Sequence, residues 1–465
     1  MSSHPERPLV TAVAALALGA SLVACAGGDA ASPLVTKTPG NVAFGKSAAA
    51  DRSAIKHVIV VILENRSFDN VFHFYDHAKA DVGDTGLDKA GNVVTLQPRS
   101  FTEQADAGHG HGDFVKQFDG GRNDGWVGTS SDKRPYYMYG YLPKSEIQPY
   151  LNIANQFAIG DRFFHGVTAP TFPSHVEIGA STTFGVIGNP SVQIPWGCDA
   201  QAGTITSTLS PSGMEVPGPF PCFTGLSIFD LLDRKGITWR YYAEPEGASA
   251  VGNNVIPAMF RSTRYGNDWN TKIASSDKEI DTALTAGTLP QVSYVIPDET
   301  ATDHAGTPSV GPTYVANLVN VLGTSQYFAN TLMIVTWDDW GGWYDHVAPK
   351  QLDATSLSYR KPILFIGGFV KPGYVSHVET EDSSINKYLE QQFGLDSLGA
   401  HDVRATGFDD VLDFTTSPRP FTAIDPTMTY SPTSANPNFR VRASALLGKV
   451  GRSQRDYYAE HTPEY

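Results

Sequence analysis

Concentrated basic charge is absent from this sequence. Its 465 residues hold 34 Lys and Arg against 48 Asp and Glu, a formal net charge of −14, and the basic residues form no run. Proteins that bind nucleic acid concentrate Lys and Arg on one surface, so this balance argues against nucleic acid as a partner. A bound phosphate would have to be held locally, by a metal ion or a helix N-terminus, against a repulsive overall field.

The apolar segment at the start of the chain is too short and too rich in small residues to span a bilayer. Residues 8–24 follow Arg7, a pattern typical of an export signal. They lead into the letters LVAC, which resemble a bacterial lipobox. We therefore expect residues 1–24 to be a lipoprotein-type signal peptide and Cys25 to carry a lipid that anchors the chain to a membrane of the cell envelope. An ordinary cleaved signal peptide is the alternative. No twin-Arg pair is present, so we expect the general secretory route.

Cysteine is scarce, with three in the whole chain. When Cys25 is set aside for lipidation, Cys198 and Cys222 remain as an even pair in a chain that we expect to be exported. This predicts a disulfide between them. It would close a loop of about 24 residues and stabilise the fold by roughly 3 kcal/mol, chiefly by constraining the unfolded chain.

Buried strands alternate with helix-length segments. Residues 56–63 form a continuous, mainly β-branched run that stops at a polar cluster, which is typical of a strand buried on both faces of a parallel sheet. Further runs of this kind are residues 293–296, 332–337 and 363–366. Helix-length segments lie among them at residues 225–235, 313–322 and 383–393. The alternation predicts an α/β fold with a mostly parallel sheet flanked by helices.

The chain divides into a tether and one folded domain, with no internal repeat. Residues 25–54 are predicted to be a flexible tether, and residues 55–465 a single domain whose tail is irregular from about Ser417. Two long Gly-containing stretches, residues 106–126 and 182–221, are expected to cover the top edge of the sheet. Ligands of open α/β sheets bind at that edge, beyond the carboxyl ends of the strands.

Two pairs of oxygen-bearing side chains directly follow predicted strands. Glu64 and Asn65 come after the first strand, and Asp338 and Asp339 after another. Carboxylate and amide oxygens are hard ligands suited to Mg²⁺ or Ca²⁺, and adjacent carboxylates at a strand end repel each other unless a cation lies between them. The alternatives are that the first group caps the following helix and that the second is a solvated turn.

A threonine and several histidines are candidates for the chemistry. Thr171 lies where a loop enters a predicted helix, a position where backbone N–H groups can hold a phosphate, so its hydroxyl is a candidate nucleophile. The alternative is a helix N-cap. His304 follows a strand end, and His109 and His111 lie in the first Gly-rich loop. Each is a candidate proton donor, with a structural role as the alternative.

These segments together resemble the bacterial phosphoesterase family that unites phosphatidylcholine-hydrolysing phospholipases C with acid phosphatases of the Francisella type. The resemblance covers residues 56–414 and is specific because several motifs recur in order. The matching segments are HVIVVILENRSFDNVF, GGRNDGW, DRFFHGVTAPTFPSHVEIGA, PDETATDH, IVTWDDWGGWYDHV and GYVSHVET.

The resemblance implies an alkaline-phosphatase-like fold with one divalent metal ion. Matched motif by motif, the metal would be held by the two oxygen-bearing pairs and by Thr171, which takes the place of the family's nucleophile. His304 matches the phosphate-site histidine, and His111 is preferred over His109 as the histidine of the early loop. The phospholipases often carry an asparagine three residues after the nucleophile. Here that position is Ser174, which with His175 is our candidate substrate-binding pair.

We expect a phosphoesterase that hydrolyses phosphate monoesters through a covalent phosphothreonine. The large C-terminal extension of many bacterial phospholipases is missing from this sequence, which favours the phosphatase branch. One alternative is a phospholipase C that cleaves phosphodiester lipids such as phosphatidylcholine. An alternative from another class is a surface lipoprotein that binds phosphorylated ligands without hydrolysing them. The sequence leaves the oligomeric state open.

Overall fold

The computed structural model describes residues 52–103, 105–130, 132–192, 195–243, 255–305 and 309–429. The predicted signal peptide and Cys25 lie outside the described residues, so export and the lipid anchor stay predictions. The described chain begins with a short 3-10 helix, Arg52–Ala54, where the sequence predicts tether. Arg52 forms an ion pair with Asp409, which ties this turn to the fold about three residues earlier than expected.

Seven strands form the central sheet. They are β1 (His57–Leu63), β2 (Ala158–Gly160), β3 (Trp239–Tyr242), β4 (Val292–Val295), β5 (Thr331–Trp337), β6 (Ile363–Ile366) and β7 (Tyr374–Ser376). Their spatial order is β3-β4-β1-β5-β6-β2-β7. Neighbours are parallel from β3 to β5 and between β2 and β7, whereas β6 is antiparallel to both of its neighbours.

The middle of the sheet is buried on both faces, as the β-branched runs predict. Six of the seven residues of β1 and all of β5 are buried. The two strands are parallel and in register, with Leu63 opposite Trp337 at their carboxyl ends. Because both strands stop at the same level, the residues that follow each of them emerge side by side at one edge of the sheet.

The predicted mostly parallel sheet is confirmed, and one strand, β6, runs the other way. The sequence analysis counts residues 363–366 among the buried runs of a parallel sheet, but β6 is antiparallel to both neighbours, so the sheet is mixed. No α-helix lies between β5 and β6 to carry the chain back across the sheet, so the chain re-enters from the edge at which it left. The amino end of β6, preceded by Arg360 and Lys361, therefore lies at the ligand edge.

Ten α-helices surround the sheet in the described residues. They are α1 (Phe68–Phe72), α2 (His111–Phe118), α3 (Lys144–Gln156), α4 (Thr171–Ala180), α5 (Ile228–Lys235), α6 (Arg261–Arg264), α7 (Asp268–Lys272), α8 (Glu279–Ala286), α9 (Gly311–Thr324) and α10 (Ser383–Phe393). The predicted segment 383–393 coincides with α10. The start of α5 is three residues later than predicted because Ser227 caps it: the Ser227 hydroxyl accepts a hydrogen bond from the Asp230 N–H. None of the described helices has the length and apolar character needed to cross a membrane.

The excursion predicted at residues 182–221 has structure of its own. It contains a three-stranded antiparallel sheet, and the predicted disulfide is formed between Cys198 within the stretch and Cys222 directly after it. The strands outside the central sheet are Thr85–Leu87, Val93–Thr95, Gln97–Pro98, Gly140–Tyr141, Phe163–Phe164, Val186–Gly188, Ser207–Leu209, Glu215–Pro217 and Thr380–Glu381. Residues 417–429 form no helix or strand, as predicted, and are held against α9 by a hydrogen bond from Asn320 Nδ2 to Ile424 O.

Candidate active site

The two oxygen-bearing pairs that follow β1 and β5 lie together at the carboxyl edge of the sheet. The Asn65 N–H donates to Asp338 Oδ1 at 2.9 Å, and the Asn65 amide group lies 3.1 Å from Asp338 Oδ1 and 3.2 Å from Asp339 Oδ1. Asn65 has φ of +61°, and a Cβ at Gly341 would lie 2.1 Å from the Asn65 carbonyl oxygen. Glycine is therefore required at position 341, because the two ligand-bearing turns touch there.

The carboxylates of Glu64, Asp338 and Asp339 lie close together and are buried from water. Glu64 is 4% exposed, and Asn65, Asp338 and Asp339 are fully buried. Burial and the charge of the acidic pair raise the pKa of the Glu64 carboxyl well above its usual range. Burial and the neighbouring Asp338 raise the pKa of Asp339 well above its usual range too. Buried carboxylates this close are costly unless a cation compensates them.

The donor set tests whether a divalent cation fits here. The Asn65 amide, oriented so that both of its ends have partners, donates its NH₂ to Asp338 and Asp339 and accepts from His304 Nε2 at 2.9 Å. The other ring nitrogen of His304, Nδ1, lies 2.5 Å from the Ala305 carbonyl oxygen. An amide carries no net charge, so it does not offset the three buried carboxylates of Glu64, Asp338 and Asp339. Carboxylate oxygens are hard ligands, and an amide turned the other way offers its oxygen as a further one, so these residues fit a divalent cation.

Two of the three candidate histidines contact this ligand set. His304 Nε2 is 3.8 Å from Glu64 Oε2, and His109 Nε2 is 3.9 Å from Asp339 Oδ2. Burial acts to lower the pKa of His109, but the Asp339 and Asp106 carboxylates outweigh it and raise this pKa to about 9. His111 instead begins α2 and directs its Nδ1 to the Thr168 hydroxyl at 2.8 Å. The distances thus reverse the order of preference that the sequence gives to His111 and His109.

Thr171 is the first residue of α4 and is 5% exposed. The N-cap of this helix is Pro170, which makes no side-chain cap, so Thr171 does not occupy the capping position that was its alternative. The two residues predicted to bind substrate are placed differently from expectation. Ser174 and His175 are fully buried, and the Ser174 hydroxyl lies 2.7 Å from His165 Nε2 and 3.0 Å from Pro170 O. The Ser174 hydroxyl therefore holds His165 in place, and a role of Ser174 and His175 in substrate binding stays a prediction.

The profile of the Phosphoesterase family matches residues 55–396. The chain belongs to the phosphoesterase family. It is an ester-bond hydrolase with an α/β fold, and the family predicted from the motifs is confirmed.

Curated relatives of this phosphoesterase are plant and bacterial phospholipases C. Non-specific phospholipase C4 of Arabidopsis thaliana is 24% identical over 422 residues, which cover 77% of this chain and 72% of the relative. Non-hemolytic phospholipase C of Pseudomonas aeruginosa is 23% identical over 398 residues, which cover 73% of this chain and 54% of the relative. This chain therefore spans about half the length of that bacterial enzyme.

Solved structures similar to the phosphoesterase include a member of the alkaline phosphatase superfamily from Vibrio parahaemolyticus. The two share 13% sequence identity at a TM-score of 0.34, over 77% of this chain and 72% of the other.

A buried charge network beside the ligand set supports the turns of this phosphoesterase, and the sequence analysis missed it. Arg360 is fully buried and donates to Asp345 Oδ1 at 2.8 Å and to Asp69 Oδ1 at 3.1 Å. His346 bridges Asp69 at 2.7 Å and Asp81 at 2.8 Å. Asp69 follows the Glu64-Asn65 turn and Asp345 follows the Asp338-Asp339 turn, so Arg360 joins the two turns. The motifs ENRSFD and WYDHV could have revealed this network, because each contains an aspartate, Asp69 or Asp345, that the predicted metal site does not use.

Three carboxylate and imidazole groups of this network, Asp69, Asp345 and His346, are close enough to hold a metal. The same is true of Glu177, Glu381 and His401. Each set is already balanced by a guanidinium, Arg360 in the first and Arg404 in the second, where Arg404 Nη2 is 2.7 Å from Glu381 Oε2. The carboxylates around Asn65 instead face an amide and two imidazoles.

The network predicts a pH-dependent stability. Asp69 and Asp345 overcome the effect of burial and the nearby Arg360 charge, and raise the pKa of His346 to about 9. A raised histidine pKa stabilises the fold fully below the unfolded pKa of ~6.5, and the stabilisation is lost as pH rises through the folded value. Between pH 6 and pH 10, we expect wild type to lose roughly 2 kcal/mol more unfolding free energy than His346→Gln, a figure reduced for partial exposure. Urea unfolding at both pH values measures this. Parallel losses in the two proteins would contradict it.

Proposed function

We propose that this phosphoesterase hydrolyses phosphate monoesters with the help of one divalent cation, Mg²⁺ or Ca²⁺, through a covalent phosphothreonine on Thr171. The observation that carries the proposal is the meeting of the Asn65 amide with the Asp338 and Asp339 carboxylates at the carboxyl edge of the sheet. Hard oxygen ligands without thiolates or several imidazoles suit Mg²⁺ or Ca²⁺ better than softer metals.

The residues divide into those that hold the cation and those that act on the ester. Glu64, Asn65, Asp338 and Asp339 would hold it together with the Thr171 hydroxyl. When bound, the cation would favour the alkoxide of Thr171 and offset phosphate charge. The N-terminus of α4, a ten-residue helix, adds a positive dipole end beside Thr171 for the phosphate.

The reaction proceeds in two displacements. The Thr171 hydroxyl releases its proton to solvent and its oxygen attacks phosphorus in line, so that the Thr171–phosphorus bond forms and the bond from phosphorus to the alcohol oxygen breaks. The leaving alcohol takes a proton from an imidazole, for which His304 is best placed because its side chain is about one-third exposed beside Glu64. Water then attacks phosphorus and gives a proton back to that imidazole. The Thr171–phosphorus bond breaks, the Thr171 oxygen takes up a proton from solvent, and inorganic phosphate leaves.

The cleft beside Pro170 supports a small polar substrate. It has a volume of about 390 Å³ and is lined by three glycines, by Pro170 and Ile187, and by the polar side chains of His111, Asp113, Lys116, Asn189 and Glu215. Sites that accept acyl chains are lined by apolar and aromatic side chains. This cleft adjoins the start of α4, and most of its side chains are polar, which suits the alcohol of a monoester better than diacylglycerol.

A phospholipase C activity is the second candidate, and the curated relatives favour it. Both the plant and the bacterial relatives are named phospholipases C. The chemistry at phosphorus would be the same, with diacylglycerol in place of the small alcohol as the leaving group.

A substrate panel separates the candidates. We expect the purified chain to release phosphate from p-nitrophenyl phosphate and other small monoesters, and to release diacylglycerol from phosphatidylcholine vesicles at least ~100-fold more slowly, as a polar cleft would require. Thr171→Ala, run on both substrates, is the control for contaminating hydrolases. Faster release of diacylglycerol would establish the second candidate instead. Tight phosphate binding with hydrolysis of neither substrate would overturn both in favour of a binding protein.

A further inference from the structure

We propose that Lys361 is a positioning residue that couples the cation ligands to the segment bearing Thr171. The inference rests on the proposed function, since it assigns Asp338 to the cation and Thr171 to the nucleophile. Lys361 lies two residues before β6, and its side chain is fully buried. Its ammonium donates to the Asp338 carbonyl oxygen at 2.6 Å and lies 2.5 Å from Asp382 Oδ1.

The first contact acts on the ligand turn. Asp338 and Asp339 leave β5 through one peptide unit, and the oxygen of that unit is the one that accepts from Lys361. The Asp339 N–H on the same peptide donates to Asp338 Oδ1 at 2.7 Å. Fixing this peptide plane therefore fixes the directions from which both carboxylates approach the Asn65 amide. An ammonium loses its water on burial, so it is stable there only while the protein accepts its hydrogen bonds. Lys361 therefore holds these two partners firmly.

The second contact acts on the nucleophile segment. Asp382 is fully buried just before α10, and its other oxygen, Oδ2, accepts from the Gly166 N–H at 2.8 Å. His165, the residue before Gly166, holds the Ser174 hydroxyl at 2.7 Å, one turn into the helix that begins at Thr171. The path from Asp338 to α4 thus runs through Lys361, Asp382 and the peptide of Gly166.

The chain offers a control in Lys371, which makes the same kind of hydrogen bond but is only partly buried. This lysine also donates to an aspartate carbonyl, Asp410 O, at 2.6 Å, but it lies beyond the carboxyl end of β6, at the opposite edge of the sheet. Replacing either lysine by methionine removes the same kind of hydrogen bond and the same charge. Only Lys361→Met is expected to disturb the cation ligands and the Thr171 segment.

The test measures cation binding and local opening in addition to turnover. With Mg²⁺ or Ca²⁺ titrated into the cation-free full chain by calorimetry, we expect Lys361→Met to bind about 10- to 100-fold more weakly than wild type, the usual effect of losing a group that orients metal ligands. Lys371→Met should bind as wild type does. In hydrogen exchange, the Gly166 amide should exchange faster in Lys361→Met and unchanged in Lys371→Met. Equal cation affinity and equal Gly166 exchange in the two variants would overturn the proposal.

A second variant covers the case in which Lys361→Met does not fold, because that substitution leaves the Asp382 carboxylate buried without its cation. Lys361→Met combined with Asp382→Asn removes both charges, and an asparagine oxygen can still accept from Gly166. We expect this double variant to lose as much cation affinity as Lys361→Met, while its Gly166 amide exchanges as slowly as in wild type. Wild-type cation affinity in the folded double variant would overturn the role of Lys361.

The outcome is separable from that of the proposed function. Weaker cation binding in Lys361→Met, together with full turnover in Thr171→Ala, would support Lys361 as an organiser of the cation ligands and reject Thr171 as nucleophile. An inactive Thr171→Ala, together with wild-type binding, exchange and turnover in Lys361→Met, would reject the positioning role alone.

Discussion

Replacing Thr171 by alanine is expected to lower turnover of a phosphate monoester by at least ~10⁴-fold, the scale seen when an enzyme loses its nucleophile. The substitution removes the oxygen that would form the covalent bond to phosphorus. It leaves the helix intact, because alanine is the strongest helix former and position 171 is the first residue of α4. Steady-state release of phosphate, with the wild-type rate as reference, measures the effect. A burst of phosphothreonine detected by mass spectrometry in acid-quenched wild type should be missing from the variant.

Thr331→Ala is the matched control for this experiment. Thr331 is a buried threonine at the amino end of β5, the strand whose carboxyl end leads to Asp338, and its hydroxyl donates to Tyr327 O at 2.7 Å. Its loss should cost about 1 kcal/mol of unfolding free energy and leave turnover unchanged. Retention of turnover in Thr171→Ala would reject Thr171 as nucleophile, whatever the result for Thr331→Ala.

The ligand edge of the fold was predictable because buried parallel strands leave a direct trace in the sequence. The runs that become β1 and β5 are continuous and β-branched, since both faces of the sheet are covered there. Parallel strands end at one edge, so the polar residues following each run were expected at that edge. The meeting of Asn65 with Asp338 also requires that β1 and β5 be neighbours, which the structure shows and the runs alone do not fix.

The direction of β6 left no such trace. An antiparallel strand buried on both faces has the same composition as a parallel one, and the fold avoids a crossover helix before it by keeping residues 338–362 at the ligand edge. A sequence interpretation that assumes parallel strands searches for function after residue 366. Arg360 and Lys361 lie before the strand, which is why both were missed.

The choice between neighbouring histidines depends on where a helix begins. His109 and His111 are two residues apart, and α2 begins at His111. His109, in the loop before α2, lies near Asp339, whereas His111, the first residue of α2, contacts Thr168. Helix boundaries are the least certain product of sequence patterns, and Gly110 at the N-cap offers no side-chain signal. The contact of Ser174 with His165 left no trace in the sequence either, because His165 comes from the loop before the helix.

Removal of divalent cations is expected to lower turnover by at least ~10³-fold, since electrostatic support by a bound cation contributes several kcal/mol to phosphoryl transfer. After dialysis against a strong chelator, addition of Mg²⁺ or Ca²⁺ should restore the rate. The unfolding temperature should rise on addition as well, because Glu64, Asp338 and Asp339 are buried against one another and a cation that binds only the folded chain stabilises it. Rate assays and thermal unfolding across a cation titration should give one apparent Kd.

Asp339→Asn and Asp298→Asn together show whether the response belongs to the proposed ligand set. Asp298 also follows a strand of the central sheet, β4, but its carboxylate accepts from the Thr300 N–H and hydroxyl. We expect Asp339→Asn to weaken cation binding by about 10-fold or more and Asp298→Asn to leave it unchanged. Both substitutions remove one negative charge and one acceptor oxygen. Weaker cation binding in Asp339→Asn alone therefore points to the ligand set and not to a general loss of negative potential. Full turnover in the chelated, cation-free chain would refute the requirement for a metal, and equal binding in the two variants would place the cation elsewhere.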